Sequence, residues 1–85
     1  MTIEQIEKFI AQNPKNLNQL VKISFKARNA LNGIFIQTPD FTELKQKNFW
    51  RIVTATNVEN YMKSKDLQFS RMFNGAEFTK LAKAS

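Results

Sequence analysis

The chain contains no cysteine and no histidine. The first absence excludes disulfides, thiolate nucleophiles and cysteine-based zinc sites. The second removes the commonest general base and the commonest metal ligand. Glycine and proline are scarce, with two of each, so each one marks a place where the backbone is under unusual demand. No apolar run approaches the length of a membrane-spanning helix, and the opening MTIEQIEKFI is acidic and amphipathic rather than a signal peptide. The lack of cysteine suits a reducing compartment. The expectation is a cytoplasmic protein that does not associate with membranes.

Catalytic chemistry is equally thin. Seven carboxylates are available, and Asp40 and Glu43 lie close together, but acid–base work needs two groups held in different environments. One charged loop supplies no such pair, and both residues read as loop-capping or solubilising groups. There is no glycine-rich phosphate loop, nucleophile elbow or cluster with metal-ligand spacing. The chain is therefore expected not to be an enzyme and to use no cofactor or metal.

What is present is phenylalanine, eight of them in 85 residues, and positive charge, a formal +6. Glu4, Glu7 and Lys8 leave residues 1–14 at −1, so the remainder carries +7. A basic body favours a polyanionic partner, nucleic acid before membrane. The alternative from charge alone is a soluble surface with spare lysines. The length suits a single small domain, residues 1–85, with a modest core and a stability of about 5 kcal/mol.

Hydrophobic periodicity divides that domain. Residues 1–14 form an N-terminal helical segment: Thr2 and Gln5 have capping-box spacing, and Ile3, Ile6, Phe9 and Ile10 fall on one face of a helix over 2–13. Asn13-Pro14 ends it, and KNLNQ is a polar link. Residues 20–83 then switch to a period of two. Val21, Ile23, Phe25 and Ala27 alternate with Lys22, Ser24, Lys26 and Arg28, giving a first strand with a basic face. A second strand covers roughly 31–38 with Gly33 inside it, where glycine marks a bend or a close backbone approach. FTELKQKN is a charged loop or short helical turn. A third strand, FWRIV (49–53), is apolar on both faces except at Arg51. TATNVENYMKSKD is a second helix or helical turn, with capping-box spacing between Thr56 and Glu59. Strands at 67–73 and 76–82 follow, joined by Asn74-Gly75, the strongest tight-turn dipeptide in the chain. The fold class expected is mainly β within an α+β arrangement: an N-terminal helix on a small five-stranded antiparallel SH3-like barrel with a short helical insert.

One stretch also suggests a family. In FNGAEFTKL, Phe73, Asn74, Gly75, Phe78 and Leu81 have the spacing of the second motif of the Sm-like (LSm and Hfq type) family of small barrels, which the chain resembles. The helix, the alternating first strand, Gly33 in a bent second strand and an acidic residue beyond it, Asp40, are similar in outline. The chain departs from the pattern at Arg28-Asn29, where the family has glycine, and at Phe41-Thr42, where it has Met-Asn. The interval from Gly33 to Asp40 is one residue longer, and Asn74 stands where a basic residue is usual. The resemblance implies RNA binding near Asn74 and Gly75, and ring assembly through pairing of the fourth and fifth strands, here 67–73 and 76–82. Arg71, Lys80 and Lys83 would equally protect a monomer's edges.

The function expected is therefore a non-catalytic nucleic-acid-binding module, RNA before DNA, using Lys22, Lys26, Arg28, Lys45, Lys47, Arg51, Asn74 and Gly75. If the first and third strands were neighbours, these cations would form one continuous surface giving salt-dependent phosphate contacts. Trp50 or Phe49 would offer a base-stacking plane if exposed; the alternative places Trp50 and Ile52 in the core. The other functional reading is a protein-interaction or structural domain with an incidental basic surface. Asn74-Gly75 has a purely structural reading too, a hairpin turn.

Overall fold

Thr2 and Gln5 exchange the two hydrogen bonds of a capping box: the Thr2 amide donates to Gln5 Oε1 (2.9 Å), and the Gln5 amide donates to Thr2 Oγ1 (3.2 Å). This starts helix α1, Ile3–Gln12. The computed structural model describes residues 1–12 and 20–83, so the expected stop at Asn13-Pro14 and the polar link lie outside the described residues. Strands β1 (Val21–Phe25) and β2 (Leu31–Phe35) follow, then helix α2 (Phe41–Gln46) and β3 (Phe49–Thr54). Helix α3 (Val58–Ser64), β4 (Ser70–Asn74) and β5 (Phe78–Lys83) complete the chain, with short 3-10 turns at Ala55–Asn57, Leu67–Phe69 and Gly75–Glu77.

The result is a small α+β fold built on one five-stranded antiparallel sheet in the order β4-β3-β2-β1-β5. The barrel is not closed: β4 and β5 form opposite ends of the sheet and do not pair. Several sequence boundaries move. β1 ends at Phe25, so Ala27 lies in an exposed bend. Leu67–Phe69 is a 3-10 turn rather than strand, and α3 has Asn57 at its N-cap position with no side-chain cap, so the Thr56–Glu59 capping box does not form.

β1 alternates because one of its faces is buried and the other exposed, whereas β3 is apolar on both faces because the sheet is covered on both sides there. One face carries Ile23, Trp50, Ile52, Phe73, Phe78 and Leu81, closed over by Ile6 of α1. The other carries Ile34, Ile36 and Val53, with Val58, Tyr61 and Met62 of α3 packed against them. The phenylalanines fill the first core with edge-on contacts. Phe25 meets Phe78 at 5.3 Å and 86°, and Phe35 meets Trp50 at 6.1 Å and 82°. Such tilted pairs bring the positive edge of one ring to the negative face of the next.

Gly33 is the only β2 residue paired on both sides, opposite Val21 of β1 and Thr54 of β3. The strand thus passes from one ladder to the other at this residue. A Cβ here would stand 2.6 Å from the Val53 carbonyl oxygen and 2.9 Å from Ile52 Cγ2. Close backbone approach, one of the two meanings an interior glycine carries, explains the residue.

Candidate functional site

The sheet order separates the two groups of cations. β2 lies between β1 and β3, so the continuous surface that depended on those strands being neighbours does not form. Lys22 faces outward on β1, opposite Asn32 on β2 and Ala82 on β5. Lys80 of β5 lies opposite Ser24 and is therefore a diagonal neighbour of Lys22 on the same outward face. Lys26 and Arg28 sit in the exposed bend after β1. Lys22, Lys26, Arg28 and Lys80 have no carboxylate partner among the described residues.

The cations of α2 and β3 are used differently. Lys45 pairs with Glu7 at 3.4 Å and lies 5.8 Å from the Phe41 ring centroid, tying α2 to α1. Arg51 donates from Nη2 to Asp40 Oδ2 at 2.9 Å and from Nε to Oδ1 at 3.4 Å. Thr38 also donates to the Asp40 carboxylate. The Arg51 and Thr38 hydrogen bonds draw the Asp40 pKa down from 3.8 to about 2, and the same bond pushes that of Arg51 upward. Lys47 alone of this group is exposed and unpaired among the described residues.

A cleft of about 170 Å³ opens where the bend after β1 meets the end of β4. It is lined by Phe25, Ala27, Arg28, Phe73, Asn74 and Glu77. The Arg28 guanidinium carbon stands over two rings, 5.1 Å from the Phe25 centroid and 5.7 Å from that of Phe73. This holds a planar cation at the surface without neutralising it. Asn74 Oδ1 accepts a hydrogen bond from the Ala76 amide (2.9 Å), which orients the side chain and leaves its NH2 group to donate outward. Glu77 is fixed from behind, its carbonyl accepting from the Lys26 amide at 3.0 Å. The site thus unites Arg28 and Asn74, with Lys26 tied to the cleft through its amide, and leaves Lys45, Lys47 and Arg51 elsewhere.

Gly75 plays another part. It is buried, and neither glycine has a positive φ. Asn74-Gly75 is therefore not a two-residue hairpin; it opens a 3-10 turn that carries the chain from one end of the sheet to the other. A Cβ at residue 75 would run into Asn48 Oδ1 and come within 2.6 Å of Ile6 Cδ1 and 2.7 Å of Trp50 Nε1. Asn48 organises this point. Its backbone is left-handed (φ 61), its carbonyl accepts from the Gly75 amide at 2.8 Å and its Oδ1 accepts from Trp50 Nε1 at 2.8 Å. Its Nδ2 donates to the Met1 carbonyl at 3.2 Å. Trp50 itself is 1% exposed and offers no stacking plane to a ligand.

The sequence reading missed Phe25 and Phe73 as supports for Arg28 and Glu77 as a lining residue, and it read Lys80 only as a guard of the sheet edge. The interval of three between Phe25 and Arg28 was visible; the partnership with Phe73 depends on tertiary placement. Comparison with protein-family models, with curated proteins and with solved structures returns no match to this chain.

Proposed function

We propose that the domain is a non-catalytic nucleic-acid-binding module that takes single-stranded RNA, in preference to DNA, across the β1–β5 face and the Arg28 cleft. The observation that carries this reading is Arg28, exposed and charged, resting on Phe25 and Phe73 at the mouth of the cleft. A guanidinium plane supported from below is a platform for an unstacked base, and stacking of this kind tolerates single strands rather than duplexes. Lys26 in the same bend, and Lys22 and Lys80 on the outward face of β1 and β5, supply phosphate contacts, with no carboxylate partner among the described residues. The preference for RNA rests on the Sm-like spacing of Phe73, Asn74, Gly75, Phe78 and Leu81.

Fluorescence anisotropy with short single-stranded RNA and DNA at low salt tests the proposal. Saturable binding that weakens steeply with added salt is expected, and an absence of binding at about 50 μM protein would sink it. A second reading, a protein-interaction domain or homo-oligomer joined through its end strands, draws on one specific observation. Leu67 is 42% exposed and Met72 47% exposed, beside the unpaired side of β4. Sedimentation at several concentrations separates the two, because a monomer that binds RNA removes the need for the second.

A further inference from the structure

The carboxylate of Glu77 is out of place on a surface that merely attracts phosphate. Glu77 lines the same cleft as Arg28 and Asn74, yet its carboxylate forms no ion pair with Arg28 or with any other described cation. Repulsion of the backbone makes an isolated carboxylate unfavourable for a nonspecific polyanion site. It becomes favourable if it accepts hydrogen bonds from a base.

We infer that the Arg28 cleft selects guanine within single-stranded RNA, an inference that rests on the nucleic-acid-binding reading of the same face. Three groups define the complement. Arg28 presents a supported plane for stacking. The Asn74 amide, with one lone pair of its oxygen taken by the Ala76 N–H, presents two N–H donors. Glu77 presents two acceptor oxygens. The ligand must then be flat and must carry adjacent N–H donors beside an acceptor. Among the four bases, only guanine has two neighbouring donors, N1–H and N2–H, on its Watson–Crick edge, and its O6 is the acceptor next to them. A carboxylate takes those donors in a bidentate pair. Cytosine and adenine each place a ring-nitrogen lone pair beside their amino group, facing the carboxylate. Uracil flanks its single donor with two carbonyl oxygens. Each of these three costs a repulsive contact that guanine avoids.

The test compares a nine-nucleotide oligouridine with the same strand carrying one central guanosine, inosine, adenosine or cytidine, by fluorescence anisotropy. The guanosine strand should bind at least about fivefold tighter than oligouridine, with inosine, which lacks the 2-amino group, intermediate. Glu77→Gln should abolish the guanosine preference and raise oligouridine affinity, because a carboxylate that repels the strand is removed. Arg28→Ala should weaken all strands, with circular dichroism checking that both variants remain folded. Equal affinity for all five strands, or a guanosine preference that survives Glu77→Gln, overturns the guanine assignment and leaves RNA binding standing. Failure of every strand to bind instead overturns the nucleic-acid-binding reading itself.

Discussion

Two sets of cations three residues strong, Lys22, Lys26 and Arg28 after and along β1, and Lys45, Lys47 and Arg51 around β3, look alike in sequence and differ in use. In the second set Lys45 and Arg51 are committed to Glu7 and Asp40, where they join α1 to α2 and the α2 approach to β3. In the first set no carboxylate is engaged among the described residues, and Arg28 rests on aromatic rings that leave its charge intact. Charge by itself does not mark a binding surface. Charge left uncompensated by the fold is the useful quantity, and only the folded chain reveals which lysines and arginines retain it.

The point where both regions meet is Gly75, beneath Asn48 at the end of α2 and next to Asn74 in the cleft. Gly75→Ala should lower unfolding free energy by about 2 kcal/mol, because the new methyl group enters space held by Ile6, Asn48 and Trp50. Urea denaturation measures it, and an unchanged midpoint would mean that this packed junction is looser than described. Smaller in effect, Lys22→Gln combined with Lys26→Gln should weaken single-stranded RNA binding several-fold with no change in the urea midpoint. The slope of log affinity against log salt should fall by about 1.4, at about 0.7 per lost phosphate contact. A variant that loses stability and keeps its salt slope would reverse the roles assigned to the two sets.

Arg51→Gln should show the opposite behaviour: RNA affinity retained, thermal midpoint lowered at neutral pH. Asp40 has a depressed pKa in the folded chain, so its bond to Arg51 contributes fully above about pH 4 and is lost as pH falls toward 2. Melting curves of the parent and the variant should therefore converge across that interval. A gap that persists at pH 2 would show that Arg51 acts through packing instead. The smallest effect belongs to Lys47→Ala, which should change urea stability by less than about 0.5 kcal/mol and leave RNA affinity untouched.

Much of the fold was legible because local chemistry and tertiary structure agree. The Thr2–Gln5 box, the alternation in Val21–Phe25 and the two-sided apolar character of Trp50–Val53 appear as read. The site was legible only in part. Arg28 and Asn74 were named, but the ring that completes the Arg28 support is 45 residues distant in Phe73, and no local pattern conveys that approach. Asn74-Gly75 misled for the converse reason. The dipeptide suits a hairpin, yet its glycine answers to crowding from Ile6, Asn48 and Trp50, none of them nearby in sequence.

Gly33 has a thermodynamic consequence. As the residue held in both ladders, it makes β2 a shared wall: Leu31 and Phe35 contribute to the core beneath α1, while Ile34 contributes to the core beneath α3. Neither core can be opened by releasing β2 without exposing the other. The helices on opposite faces are thereby coupled into one cooperative unit, and amides in β1 and β3 should exchange with solvent through the same global opening rather than in two separate steps.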